Sequence, residues 1–239
     1  MFDDRRGVLL KNNPFGVLRK MCVQAEEMVS LEMSPFWHRW LFVTAKRALD
    51  IVLSAFFLFL LLPMFLVLAV MVKLTSPGPL FYTWRVVGKD GRRFNGYKFR
   101  SMCANADELK GQLEHLNEMD GPVFKLTQDP RVTKLGIWMR RHSLDELPQL
   151  YSVLKGDMSL VGPRPPLYSE YECFTEYQKR KVAVKPGITC LWQVNGRNDV
   201  RSFEQWVEMD LKYIREWSPL LDFRILCKTF IAVFAGTGK

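Results

Sequence analysis

Two adjacent carboxylates, Asp145 and Glu146, stand inside the run Ser143-Leu144-Asp145-Glu146-Leu147-Pro148-Gln149-Leu150. Arg140, Arg141 and His142 come just before it. Carboxylates set among cations suit phosphate chemistry with a divalent metal: carboxylate ligates or attacks, and guanidinium groups hold phosphate oxygens. A plainer reading competes. Ser143 and Glu146 have the spacing of a capping box, with the serine hydroxyl accepting from the Glu146 N–H and the Glu146 carboxylate accepting from the Ser143 N–H. Asp145 would then simply favour the positive end of a helix. Taken alone, these eight residues favour the cap. Pro148 falls past the first helical position that proline prefers, near the end of the first turn, which predicts an irregular helix start.

Other residues support the chemical reading. Arg164 lies between Pro163 and Pro165, so its backbone is restricted on both sides and its fork is pre-set for phosphate. Lys98 and Arg100 are two apart in a run that reads as a return strand, Arg92–Met102, and are expected on one face. The outgoing strand is Leu80–Val87, and Gly88-Lys89-Asp90-Gly91 is the hairpin turn. A solvated charge row is the plain alternative for that face.

The remaining elements must position these groups. Residues 103–120 read as a polar helix, Leu135–Arg141 as a second, 168–184 as a charged helical stretch and Ile188–Val194 as a short strand. Phe203, Trp206, Val207, Ile214 and Trp217 form a core stripe at helical spacing. Leu220–Phe234 is amphipathic and basic, suited to an interface. From Ile51 to Val72 there is no charge, and about 22 helical residues cover ~33 Å, enough for a bilayer core. Pro63 predicts a kink there. Basic residues flank both ends, so a kinked span and a re-entrant helix both fit, the span slightly better. The aromatic run at 36–42 reads as an interfacial belt or a short packed helix.

The formal net charge of +9 predicts an anionic partner. The five cysteines lie far apart and form no Cys-x-x-Cys, which speaks against a zinc site or a disulfide framework. Nucleotide-binding glycine fingerprints and the Gly-x-Ser-x-Gly elbow are missing, and no nucleic-acid module appears. The competing class is a membrane-anchored scaffold that binds anionic lipid or partner proteins without turnover. It accounts for the charge and the apolar run but not for carboxylates set among cations.

The chain resembles the bacterial sugar transferases, the monotopic phosphoglycosyl transferases. The resemblance is carried by Lys46-Arg47-Ala48-Leu49-Asp50, the apolar run with Pro63, Tyr97-Lys98-Phe99-Arg100-Ser101-Met102, and the run from Arg141 to Leu150. It continues through Lys155–Pro165, Lys185-Pro186-Gly187-Ile188-Thr189 and Trp192–Asn198. Residues 1–45 lie outside it. The resemblance implies an α+β, mostly helical domain on the cytoplasmic face of the bacterial inner membrane. Residues 46–75 would form the membrane-embedded, re-entrant helix broken at Pro63, and 76–239 the catalytic domain with interfacial amphipathic helices. Leu62 departs from the small polar residue often found before that proline.

The resemblance further implies transfer of a sugar-1-phosphate from a UDP-sugar to undecaprenyl phosphate with release of UMP, the first membrane step of a surface glycan. Asp145 matches the nucleophile and Glu146 the Mg2+-binding carboxylate. Arg140 and Arg164 match phosphate-holding positions, Lys98 assists, and Asn195, Arg197 and Asp210 fall in substrate-side stretches. Glucose or galactose is favoured by Gly187-Ile188-Thr189-Cys190-Leu191-Trp192-Gln193-Val194. Partners would be the two substrates and membrane phospholipid, with a homo-oligomer allowed and no nucleic acid.

Overall fold

The computed structural model describes residues 36–195, 200 and 202–236, with side chains from residue 40 onward. The chain divides into two units, Met1–Ala45 and Lys46–Lys239, and every candidate site residue falls in the second. In the first, the described residues open one helix, and Trp40, Leu41 and Phe42 are exposed on it. The aromatic side chains at 36 and 37 lie outside the described residues.

Helix α1 (Phe36–Leu60) runs into α2 (Leu62–Thr75) through a break at Leu61. Pro63 is near the start of α2, where its missing N–H is one that no helix start satisfies internally. The break therefore falls two residues before the proline. Leu61 N–H still bonds to the Phe57 carbonyl, and Phe65 N–H to that of Leu61, each at 2.9 Å. Among the described residues no single helix is long and apolar enough to cross a membrane. Trp40–Leu60 and Leu62–Thr75 pass that test together, bent by 61°.

Within the second unit, the part of α1 that starts at Lys46 and the exit of α2 are both tied to the rest of the fold. Lys46 Nζ donates to the Val161 carbonyl at 3.0 Å and pairs with Asp222. Arg47 donates to the Val153 and Leu154 carbonyls at 2.6 and 2.9 Å. Asp50 accepts from Leu160 N–H at 2.9 Å. At the other end Arg100 donates to the Pro77 and Ser76 carbonyls at 2.6 and 2.7 Å. Arg100 thus does not share a cationic face with Lys98: strand β2 ends at Phe99, and the guanidinium turns to cap the α2 exit.

Strands β1 (Phe81–Val87) and β2 (Arg93–Phe99) form the expected antiparallel hairpin, with Trp84 opposite Gly96 and Tyr82 opposite Lys98. The hairpin separates two environments, because alternate residues point to opposite faces. Phe99 packs with Leu68, Val72 and Met139, which joins α2 to α4 (Lys134–Arg141). The polar stretch at 103–120 is shorter than expected, with α3 at Ala106–Leu113 and a single tight turn after it. Helix α5 (Gln149–Lys155) leads to β3 (Ser159–Val161), which pairs in parallel with β4 (Gly187–Thr189).

The 168–184 stretch is split into α6 (Tyr168–Glu172), α7 (Glu176–Lys179) and a turn at Arg180–Val182. The strand expected over Ile188–Val194 stops at Thr189. Gln193 Oε1 accepts from Cys190 N–H at 3.0 Å and starts a one-turn helix, α8 (Leu191–Val194). Helix α9 (Phe203–Glu216) buries Phe203, Trp206 and Val207 of the predicted stripe against Met119, Phe174 and Trp192, while Trp217 falls past its end and packs in a second cluster. Helix α10 (Pro219–Ala235) closes the fold with Phe223, Ile231 and Phe234 exposed.

Candidate active site

Asp145 and Glu146 sit in a tight turn, Leu144–Glu146, and are 7% and 8% exposed. That burial calls for charge partners, since an isolated buried carboxylate would take up a proton instead. The capping box does not form. Ser143 adopts a left-handed conformation (φ 53°, ψ 24°) and its side chain caps nothing. Glu146 instead accepts from Lys98 Nζ at 2.7 Å. A charge-assisted bond in so dry a site outweighs a neutral local cap.

Among the described residues, three cations surround the pair. Lys98 comes from β2, and Arg164 Nη1 lies 4.0 Å from Glu146 Oε1. Arg140, from the last turn of α4, donates through Nε to Ser101 Oγ at 3.0 Å, and Asp145 is the carboxylate that acts most strongly on it. Burial pushes the Lys98 ammonium below its ordinary value, and Glu146 pulls it back most strongly. The Arg140 guanidinium is shifted down by burial in the same way. Cations held in so dry a place attract an anion more strongly than they would in water.

Arg164 owes its position to the backbone. Gly187 N–H bonds to the Pro163 carbonyl and Val87 N–H to that of Pro166, each at 2.9 Å. These two bonds clamp the proline-bounded turn from opposite sides. Gly187 is required there, because a Cβ would lie 2.1 Å from the Gly162 nitrogen.

Trp84 and Trp206, which the sequence reading did not assign to the site, flank the cations. Lys98 Nζ is 4.3 Å from the centre of the Trp84 ring, and Arg164 lies 5.8 Å from Trp84 and 5.7 Å from Trp206. Ring faces attract cations, and more so where water is thin. Gly96 opposite Trp84 lets the indole lie on the strand, since a Cβ would meet its Nε1 at 2.2 Å. A tryptophan paired across a hairpin with glycine was the available signal. Trp206 fitted the core stripe equally well.

Lys98, Arg140, Asp145, Glu146 and Arg164 are thus brought together. Asp210 is fully buried with Lys181 Nζ 2.6 Å from Oδ2. Burial pushes its carboxyl up, while Lys181 and the Arg164 backbone N–H oppose that. Asp210 therefore meets the site through Arg164. No motif pointed to Lys181. Asn195 is exposed, and its Oδ1 accepts from Lys228 at 2.7 Å. Arg197 lies outside the described residues. Among the described residues no three His, Cys, Asp or Glu side chains form a metal cage. A divalent cation here would take one or two carboxylates and complete its shell with substrate phosphate and water, the way Mg2+ binds.

Comparison with known proteins identifies relatives of the chain. Residues 41–236 match the family described as bacterial sugar transferase. The galactosyl transferase CpsE of Streptococcus agalactiae serotype III is 50% identical over 161 residues, covering 67% of this chain and 36% of that protein. The exopolysaccharide production protein ExoY of Rhizobium meliloti is 39% identical over 199 residues, covering 82% of this chain and 88% of that protein. The UDP-glucose:undecaprenyl-phosphate glucose-1-phosphate transferase of Escherichia coli K12 is 43% identical over 199 residues, covering 80% of this chain and 40% of that protein. The chain therefore spans well under half of two of these relatives and most of the third. With the family match covering most of its length and the ExoY likeness covering most of both proteins, the chain belongs to the bacterial sugar transferase family.

Proposed function

We propose that this protein transfers a sugar-1-phosphate from a UDP-sugar to undecaprenyl phosphate, releasing UMP, as a first membrane step of surface-glycan assembly. The observation that carries the reading is the buried Asp145-Glu146 pair beneath Lys98, Arg140 and Arg164, in a chain of this family. Relatives bear names for galactosyl transfer and for glucose-1-phosphate transfer to undecaprenyl phosphate, so glucose or galactose is the donor sugar.

Two displacements at one phosphorus account for the residues. An Asp145 oxygen attacks the sugar-bearing phosphorus, a P–O bond to aspartate forms, and the P–O bond to UMP breaks. A phosphate oxygen of undecaprenyl phosphate then attacks that phosphorus and frees the carboxylate, leaving a sugar diphosphate lipid. Covalent relay through a carboxylate divides one hard transfer into two easier ones. Arg140 and Arg164 hold the phosphate oxygens, and Lys98 keeps Glu146 in place. Bound Mg2+, held by Glu146, would supply charge neutralisation for the diphosphate and the departing UMP.

The bent pair α1–α2 fits a re-entrant element entering from the cytoplasmic face. A single span would part its two ends by the bilayer core of about 30 Å. Here both flanks bond into one folded unit. The test of function is UMP release with undecaprenyl phosphate and Mg2+ across UDP-sugars. One sugar should support turnover, and Asp145→Asn should abolish it with folding intact. Full turnover by Asp145→Asn would remove the nucleophile.

A further inference from the structure

An apolar groove of about 270 Å3 lies at the elbow of the bent pair, lined by Leu58, Phe65, Phe81, Tyr97, Pro148 and Tyr151. We propose that it seats the first isoprene units of the polyprenyl phosphate acceptor; this rests on the function proposed for the Asp145-Glu146 site. Leu58 and Phe65 stand on either side of the break at Leu61, so the bend itself makes two of the walls. Tyr97 and Tyr151 face each other with ring centres 6.2 Å apart. Among the described residues no charged side chain lines the groove. An apolar hollow of this kind binds apolar matter in preference to water.

The choice of occupant rests on what adjoins the groove. Tyr97 precedes Lys98 on β2, and strand alternation sends the tyrosine to the groove and the lysine to the carboxylates. Pro148 is two residues past Glu146 on the same turn. The groove thus borders the cation cluster along one strand edge. An amphiphile whose single chain ends directly on a phosphate matches both environments at once. A diacyl phospholipid carries its phosphate as a diester on glycerol, with two chains to place beside one groove.

The full chain is tested in nanodiscs with undecaprenyl phosphate, a UDP-sugar that it accepts and phosphatidylglycerol as the bulk lipid. UMP release without acceptor reports the first displacement alone. Leu58→Trp, which fills the groove, and Tyr151→Ala, which removes a wall at an exposed position, should each raise KM for undecaprenyl phosphate tenfold or more. Both should leave the acceptor-free UMP burst within twofold. p-Benzoylphenylalanine in place of Tyr151 should crosslink to labelled undecaprenyl phosphate, with unlabelled acceptor competing and excess phosphatidylglycerol not competing. Unchanged acceptor KM in both variants, or crosslinking only to phosphatidylglycerol, would overturn the groove assignment. Absence of any UMP release by the wild-type protein, even with undecaprenyl phosphate present, overturns the proposed function instead, so the two failures are distinguishable.

Discussion

Gly136 lies directly against the Ser101 carbonyl: a Cβ on Gly136 would sit 1.9 Å from that oxygen. One helical turn on, Arg140 reaches the hydroxyl of the same serine at 3.0 Å. Residues four apart share a helix face, so one serine receives both the helix and its functional cation. Gly136→Ala must push α4 away from the strand end, at a cost of about 1–3 kcal/mol for an overpacked contact. A lowered Tm with loss of turnover is expected. Ser101→Ala should cost only about 1 kcal/mol of stability yet lower kcat tenfold or more, with KM for the UDP-sugar changed less. Wild-type kcat in Ser101→Ala would show that Arg140 needs no such support.

On the proposed function, Glu146 would hold the Mg2+. Glu146→Gln keeps the shape and can still accept from Lys98, but it loses the charge that a hard cation prefers. The Mg2+ concentration giving half-maximal UMP release should rise at least tenfold. An unaltered Mg2+ titration would place the ion elsewhere.

Lys181 and Asp210 are a buried pair at 3% and 0% side-chain exposure. Removing one partner strands the other charge, so Lys181→Met and Asp210→Leu should each destabilise by about 3–5 kcal/mol. The double variant should regain most of that loss, since neither charge is then left alone. Denaturant unfolding of the three variants measures it. Additive losses would mean that the pair is not coupled.

These outcomes bear on how much was legible beforehand. Asp145, Glu146, Arg140, Arg164 and Lys98 were all marked by residue type and family spacing, and the structure gathers them. The local rule at Ser143 failed because Glu146 finds a partner 48 positions away, which no window of sequence shows. The strand expected at 188–194 forms only as far as Thr189, because Gln193 satisfies the Cys190 N–H through its side chain and starts a helix. The hairpin was legible from its turn and alternation, while the exit cap by Arg100 was not, because its acceptors are backbone carbonyls. Trp84 and Trp206 carry no motif, and an indole beneath a cation looks like any core residue until the cation is placed.

Cys190 gives a pH signature. It is 1% exposed, and burial holds its thiol well above the ordinary value of 9.0, with Asp210 adding to the effect. The folded chain keeps this proton where the unfolded chain has lost it. The contribution to stability is therefore full below 9.0 and is lost as pH rises above that value. Denaturant midpoints measured between about pH 8 and 10 should fall less steeply for Cys190→Ala than for the wild type. Parallel curves would contradict the assignment.

Topology has its own test. In a background without native cysteines, Thr44→Cys and Thr75→Cys should both react with a membrane-impermeant maleimide from the cytoplasmic side. Labelling from opposite sides would establish a span.

The break at Leu61, with both flanks bonded to one body, bears on which membranes the protein can work in. A crossing helix must match its apolar length to the bilayer, and each ångström of mismatch costs a fraction of a kcal/mol. A wedge that enters and leaves through one leaflet has no far side to reach. Its depth, on the re-entrant reading, would be set by the bonds of Lys46, Arg47 and Asp50 on one flank and Arg100 on the other. On the re-entrant reading, Asp145 keeps the same height above the lipid in thin and thick membranes, so turnover tolerates changes in acyl-chain length that would tilt or strand a spanning helix.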